Sequence, residues 1–590
     1  MRLKQMMTKS TGSENNRILS ATYTSLYWTM FLSTLVMTIN VMLDTIMAGR
    51  FFDMNALAGI GVCGVFSTMI TMMQSFLVMS FVDSMGSALG RGDTEESNRI
   101  FSCMIWLNAF MQIFFIILSF AAPDKIVWLL GARDPQIAVY AIQYIRILSI
   151  ASLAATLDKL ILNPMLLFGF HKEIFFSYVI QLIINILLSL FFTQVLHTGV
   201  AGLAWGTASG SACAFLFLLT AYLRRPSTLH LYVRPSHRTF KTAWPSIEGG
   251  LPSTVHSFAD FILGLIFNNV IAAMGITGGL AVYTIYISMR NLAGISTSAA
   301  LITSNTLFSV LLGARDVDGI KKVLKDTFTI PLRVTIIILI FMLAGRMQLL
   351  SAFGVTDQSM IRVLNSAFFW LIPGCLLSIP VNVFRNFFAL SDRISLSGWF
   401  AVGADFIIYV PLVLVSLRYV GIAAAWISYT ACFVIFIAIW ISMLRLYLKE
   451  PLHSVEDFLL LPEDYFEGEN LLNISLKGGI RESEKIAGIG DFLSGRGICK
   501  KDAYRCQLCV EEIAMRLSEG KKMPKYLDIR IFTVRGNVHF SILDKGPMNN
   551  YLVFVPKDMF DGVGIRIVRA VAKRVDYRYL MGINVLNVII

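Results

Sequence analysis

The sequence predicts an all-α polytopic membrane bundle, twelve transmembrane helices in two six-helix repeats, followed by a soluble α+β sandwich. Three observations predict it. The 590-residue chain is 56% hydrophobic and only 15% charged, where soluble domains carry near 25% charge. The deficit is uneven: residues 26–447 are almost all apolar runs, whereas 450–590 read as an ordinary soluble protein. Within the apolar part, two sequence marks recur at nearly one spacing.

The N-terminus (Met1–Ser20) is polar, with Arg2, Lys4, Lys9 and Arg17. The apolar run behind it is too long for the core of a cleavable signal and has no small-residue cleavage site, so it is expected to remain as the first span. A spanning helix needs roughly 20 mostly apolar residues. Such runs lie near 26–48, 56–82, 101–121, 139–158, 174–194 and 200–222. A second set lies near 247–272, 278–311, 328–350, 361–389, 396–417 and 420–445. The expected division is an N-terminal tail (1–22), a first lobe (23–225), a basic loop (226–246), a second lobe (247–447), a linker (448–465) and a tail domain (466–590).

An even number of spans puts both termini on one side. Loops on that side hold Arg91, Arg99, Lys172, Arg224, Arg225, Arg234, Arg238 and Lys241, then Arg315, Lys321, Lys322, Lys325 and Arg393. The other side holds fewer, such as Arg50, Lys125, Arg133 and Arg346. The bias predicts cytoplasmic termini and an inner-membrane, multi-pass location. It also accounts for the net charge of +12. A basic stripe interleaved with aromatics is missing, so nucleic acid is not an expected partner.

The repeat rests on two marks. Leu89-Gly90-Arg91-Gly92-Asp93 follows the second run and Leu312-Gly313-Ala314-Arg315-Asp316 the eighth, with 313 − 90 = 223. Gly199-Val200-Ala201-Gly202 precedes the sixth and Gly421-Ile422-Ala423-Ala424 the twelfth, with 421 − 199 = 222. Parallel repeats of this kind enclose a central cavity and move solute by rocking one half against the other.

The eight cysteines are scattered, and the Cys506/Cys509 pair has no second pair beside it. A zinc site takes about four ligands, so reduced thiols are expected.

Carboxylates inside apolar runs are few and expensive, about 2.5–3.5 kcal/mol each on insertion scales. They are Asp44, Asp260 and Asp405, with Asp158 and Asp83 nearer run ends. Val41, Met42, Leu43, Ile46 and Met47 around Asp44 offer no cation, so burial there would let it take a proton. Asp260 has Ser257, Asn268 and Asn269 as neighbouring oxygens for a cation, and a sodium-like ion needs several. Arg385 on the tenth run either snorkels to an interface or pairs with a carboxylate. Tyr283, Tyr286, Trp205 and the many methionines would suit flat cations, although spanning helices carry such residues anyway.

Over residues 20–447 the sequence resembles the multidrug and toxic compound extrusion (MATE) family of transporters. The residues that carry the resemblance are Val41-Met42-Leu43-Asp44-Thr45-Ile46-Met47-Ala48-Gly49-Arg50, the two Leu-Gly turns, Gly250-Leu251-Pro252 and Gly199-Val200-Ala201-Gly202. The resemblance implies cation-coupled antiport, by proton or sodium, exporting organic cations or other amphipathic small molecules. It implies an ion-coupling role for Asp44, a cation or substrate role for Asp260, and a lobe-lining role for Asn185. Asp405 is the expected counterpart of Asn185, by 405 − 185 = 220. The tenth run lacks the central acid of sodium-coupled members, which favours protons. No cofactor is required for such transport. A lipid-linked glycan flippase and a membrane-tethered signalling protein are the alternative readings.

The acidic linker runs from Leu448 to Tyr465. Beyond it the pattern predicts a strand at 471–476, helices at 480–493 and 501–517, strands at 527–534 and 538–543, a helix at 565–574 and a strand at 584–590. The motifs resemble the Bergerat-like ATP-binding domain of histidine kinases and anti-sigma-factor kinases. Asp544-Lys545-Gly546 resembles the adenine-binding motif, Gly562-Val563-Gly564 the phosphate loop and Glu512 the general base. Arg516 stands where the family has its magnesium-binding Asn, and an Arg cannot ligate a cation. ATP is therefore a possible ligand without hydrolysis, and the tail a docking surface for a cytoplasmic regulatory partner. No P-loop motif occurs anywhere in the chain.

Overall fold

The computed structural model describes residues 17–90, 94–167, 170–224, 251–275, 278–313, 317–391, 393–448, 458, 460, 470–477, 486, 488–519, 526–534, 537–544, 563–580 and 583–590. Helices lie over every apolar run. In the first lobe these are α1 (Arg17–Phe51), α2 (Met54–Gly90), α3 (Thr94–Ala121), the short α4 (Pro123–Leu129), α5 (Pro135–Leu167), α6 (His171–Leu190) and α7 (Ala201–Leu223). In the second they are α8 (Leu251–Ala273), α9 (Gly279–Gly313), α10 (Val317–Ala344), the short α11 (Arg346–Ala352), α12 (Gln358–Leu390), α13 (Ile394–Val402), α14 (Tyr409–Val420) and α15 (Ala424–Leu448).

Among the described residues, nine helices are long and apolar enough to cross a membrane, the last running through α13 to α15 as Ser395–Leu446. The chain is a multi-pass membrane protein. Proline opens α4 and α5 at Pro123 and Pro135, where its fixed φ and missing N–H do no harm. π-helical turns at Phe191–Val195 and Gly403–Ile408 interrupt the fifth and eleventh runs.

Helix boundaries recur at a constant spacing. Thr94 and Val317, Ala121 and Ala344, Pro135 and Gln358, Leu167 and Leu390, and His171 and Ile394 are each separated by one interval (317 − 94 = 223). The short helices α4 and α11 obey it too, as do the loop glycines behind them, Gly131 (φ +105°) and Gly354 (φ +77°). This spacing places Ile408, not Asp405, at the position matching Asn185 (408 − 185 = 223). The expected pairing of Asp405 with Asn185 is therefore out by three residues.

The lobes share one apolar core. Helix α1 lies along α6 of its own lobe and along α9 of the other, and α2 packs on α8. At the end of the bundle away from the N-terminus the lobes meet backbone to backbone. A Cβ added at Gly49 would strike the Phe353 carbonyl, and one at Gly354 would strike that of Gly49. A Cβ at Gly131 would lie 2.8 Å from the Asn268 carbonyl carbon. Asn269 Nδ2 donates to the Leu129 carbonyl at 2.8 Å, and Arg133 donates to Asn269 Oδ1 at 3.4 Å.

The tail domain forms one five-stranded sheet in the order β1-β2-β3-β5-β4, antiparallel throughout. Its strands are β1 (Asn470–Lys477), β2 (Tyr526–Val534), β3 (Asn537–Asp544), β4 (Arg574–Leu580) and β5 (Ile583–Ile589). Its helices are α16 (Ile489–Gly495), α17 (Lys500–Glu519) and α18 (Val563–Val571). They bury Cys506, Cys509 and Val510 with Ile531, Phe540, Ile542 and Leu586 in a core of their own. The helix expected over 480–493 is described as Ile489–Gly495, residues 480–485 lying outside the described part. One expectation is corrected. The helix expected to reach Arg574 stops at Val571, and Arg574 begins β4, an unexpected strand. Val575, Tyr577 and Tyr579 alternate with polar residues there, which is the period of a strand.

Candidate functional site

The first site is built from four helices of the first lobe. Asp44 on α1 is 4% exposed. Its Oδ2 accepts from Tyr144 on α5 at 2.6 Å and from Thr207 on α7 at 2.7 Å. Its Oδ1 is buried without a hydrogen-bond partner among the described residues. Asn185 on α6 donates to Asn40 Oδ1 at 3.0 Å and accepts from Ser189 at 2.8 Å. Thr207 also reaches Asn185 Oδ1 at 3.5 Å. Gly206 and Gly210 on α7 pass against Ser189 and the Gln181 carbonyl with no room for a Cβ, so small residues let α7 close on α6 and bring Thr207 in. The structure thus joins Asp44 and Asn185, two residues 141 positions apart (185 − 44 = 141), into one buried polar cluster.

A second buried network lies in the same lobe. Lys159 Nζ donates to Gln74 Oε1 at 3.1 Å, Gln74 bonds Thr156, and Thr156 reaches Gln112 at 3.3 Å. Asp158 is 6% exposed. The Asp83 side chain lies outside the described part.

The other site is a cavity of about 570 Å³ between α1 and the second lobe. Asp260, Arg290, Arg385 and Asp405 line it, so these two carboxylates are here and not beside Asp44. Arg385 pairs with Asp405 at 3.4 Å, one of the two outcomes the sequence allowed. The Arg290 guanidinium stands 5.4 Å over the ring of Tyr429. Met37, Val41 and Met42 of α1 line it as well. Asp44, two residues further along α1, belongs to the first-lobe cluster. One helix therefore faces both sites. In the core Tyr283 stacks on Phe267 at 5.2 Å, and Tyr286 lies tilted against Trp426 at 5.4 Å. Trp205 is 41% exposed on the outside of the bundle.

The MatE family model matches residues 29–191, the greater part of the first lobe. A solved MATE multidrug transporter, DinF-BH in complex with a dye, shares 17% identity and a TM-score of 0.63, over 75% of this chain and 97% of its own. An outward-facing MATE family transporter of the MOP superfamily shares 18% and 0.62, over 74% and 99%. A MOP superfamily transporter from Pyrococcus furiosus, described by the reverse polarity of its binding pocket, shares 17% and 0.59, over 74% and 99%. The membrane bundle has the MATE fold. No curated protein matches the chain.

Within the MATE bundle, Tyr144, Thr207, Asn40 and Arg290 are site residues that sequence reading passes over. Hydroxyls and amides are ordinary in spanning helices and signal nothing alone. Arg290 did carry a signal, as a cation inside the apolar run 278–311.

In the tail, Asp544 ends β3 opposite Asn584 of β5. Asn584 donates to its Oδ1 at 3.1 Å and accepts from Tyr577 at 2.6 Å. Asp544 is 2% exposed, and its Oδ2 is buried without a hydrogen-bond partner among the described residues. Burial pushes its carboxyl up to about 6, against the pull of the Asn584 bond. Glu512 lies on α17. Gly564 falls in the first turn of α18, while Gly546 and Gly562 lie outside the described residues.

Proposed function

We propose that the chain is a twelve-span MATE family transporter, a cation-coupled antiporter of amphipathic small molecules. The observation that carries this reading is Asp44, a carboxylate buried at lipid depth with two hydroxyl donors on one oxygen and, among the described residues, none on the other. Its hydrogen bonds tie α1 to α5 and α7, and its second oxygen has none among the described residues. It can exchange a proton or a small cation when the lobes reorient, with Asn185 and Asn40 as further oxygens. Met37 and Val41, seven and three residues before Asp44 on the same helix, line the cavity, so ion exchange at Asp44 and solute binding act on one element. The membrane potential supplies about 2.3 kcal/mol per charge per 100 mV, so ATP is not needed as fuel. The basic loops support a reading with both termini in the cytoplasm of an inner membrane. The junction at Gly49, Phe353 and Gly354 then closes the outer end.

Efflux from proteoliposomes under separate proton and sodium gradients tests the reading. One of the two gradients is expected to drive efflux, and Asp44→Asn is expected to abolish it with expression intact. Solute that moves equally without any imposed gradient would overturn it.

A second reading concerns the tail. The buried, unsatisfied Oδ2 of Asp544 favours a nucleotide-binding pocket, since an adenine amine would satisfy it. Arg516 argues that ATP would be bound and not hydrolysed. Titration of the tail with ATP, with and without magnesium, tests it.

A further inference from the structure

We propose that the tail docks on the membrane surface through a basic face at α18 and the start of β4, with anionic lipid headgroups as its partner. Residues 563–575 hold four cations, Arg566, Arg569, Lys573 and Arg574, and no acid. All four are exposed. Arg566, Arg569 and Ala570 are spaced i, i+3 and i+4 and form one exposed face of α18, while Val568 turns into the tail core. Lys573 and Arg574 follow directly beyond the helix end. Lys573 is held there by Asn537 Oδ1 at 2.7 Å and the Ile590 oxygen at 3.2 Å. The stretch has no aromatic residue on which a nucleobase could stack, so the charge suits headgroups better than single-stranded nucleic acid.

The tail is kept beside the bilayer. Phe458 of the linker stacks on Phe384 of α12 at 5.9 Å, and Leu460 packs on the bundle core. Ten residues lead from Leu460 to Asn470, where β1 begins (470 − 460 = 10). An extended chain spans at most about 3.3–3.6 Å per residue, so the sheet starts within about 35 Å of the bundle. Strand β2 also touches α1. A domain on so short a tether meets the nearby leaflet at high effective concentration. The tail as a whole is basic, with 20 Lys and Arg against 14 Asp and Glu over 466–590 (20 − 14 = +6). The linker before it is acidic, with one Lys against five Asp and Glu over 448–465 (1 − 5 = −4). Attraction to an anionic leaflet therefore belongs to the tail and not to its tether, and each Lys or Arg near such a surface strengthens binding about fivefold. The inference needs only a multi-pass chain and is independent of what the bundle carries.

The tail has a core of its own, so residues 466–590 can be tested alone by sedimentation with vesicles of phosphatidylcholine, pure or with one-third phosphatidylserine. The wild-type tail is expected to bind the anionic vesicles at least about tenfold more tightly than the neutral ones. Most of that binding should vanish between about 50 and 300 mM salt, as screening shortens the reach of the surface charge. Arg566→Gln with Arg574→Gln is expected to weaken it about 25-fold, at about fivefold per charge. Lys500→Gln with Lys501→Gln removes two exposed charges at the start of α17 and is expected to weaken it less than about threefold, because those charges lie off the docking face. Arg566→Lys with Arg574→Lys keeps the charge and should bind like wild type. In the full chain, trypsin cleavage at α18 and β4 should be severalfold slower in nanodiscs of the anionic mixture than in neutral ones. Equal wild-type binding to both kinds of vesicle, equal losses in the two glutamine pairs, or cleavage at one rate in both nanodiscs would overturn the proposal. Tighter capture of the tail by RNA than by anionic vesicles would overturn it too. If the Arg566→Gln, Arg574→Gln tail does not fold, the salt series, the lysine pair and the nanodisc cleavage decide.

Discussion

Asp44 shows how a residue visible in the sequence gains meaning only from partners that are not. A carboxylate in an apolar run is conspicuous, and so is Asn185. The donors Tyr144 and Thr207 are not, because a hydroxyl in a spanning helix is usually absorbed by its own backbone, as Ser33 and Thr303 are here. Arg290 was as legible as Asp44 and is missed only when carboxylates alone are sought. Tyr144 makes a 2.6 Å bond to a buried acceptor. Tyr144→Phe leaves that oxygen with Thr207 alone and is expected to destabilise the bundle by roughly 1–3 kcal/mol. Denaturation in detergent checks it, and a Thr207→Val, Tyr144→Phe double variant should show non-additivity because both donors share one atom.

Repeated elements tell a similar story about register. The two sequence marks carried spacings of 223 and 222, close enough to reveal the repeat but not to fix it. Helix ends, short helices and loop glycines settle on one interval, which moves the partner of Asn185 from Asp405 to Ile408. The match to Asp44 on α1 is Phe267 (267 − 44 = 223). The duplicated architecture therefore holds a carboxylate cluster in one lobe and stacked aromatics in the other. The β4 strand escaped reading because the basic residues around Arg574 fit the end of a helix as well as a strand, and pairing with β5 decided it. The lobe junction tests the elements directly. Gly354 has a left-handed backbone (φ +77°) and no space for a Cβ beside Gly49. Gly354→Ala combines about 1–2 kcal/mol of backbone strain with that clash, so it should loosen the seal. Labelling of a cysteine placed at Ser288 by an impermeant maleimide, added on the face away from the N-terminus, is expected to speed up severalfold. An unchanged rate would mean that the junction is not the barrier.

At the scale of the whole molecule, two bodies with separate apolar cores are joined by a linker. The proposed reading assigns transport chemistry to the bundle, so removing the tail should leave it working. Truncation after Leu460 keeps Phe458 and Leu460, which pack on the bundle, and is expected to retain gradient-driven efflux. Complete loss of efflux in a well-folded truncate would make the tail part of the motor. The tail has its own pH signature. Burial raises the Asp544 carboxyl from its ordinary 3.8 to about 6. Folding therefore favours the neutral form: the stability it contributes is complete below 3.8 and is lost as pH rises through about 6. An adenine amine, by contrast, is best accepted by the ionised form, which prevails above about 6. Stability and nucleotide affinity should move in opposite directions across that window. ATP binding to the tail (466–590) is expected to weaken as pH falls from about 7.5 to about 5.5, roughly threefold or more for a group titrating near 6. Asp544→Asn should abolish that binding while making the fold more stable at neutral pH, because a neutral amide replaces a buried carboxylate that must otherwise ionise. Calorimetry at several pH values, with wild type and variant side by side, measures both. A tail that binds ATP equally well at both pH values and in the variant would remove Asp544 from the pocket.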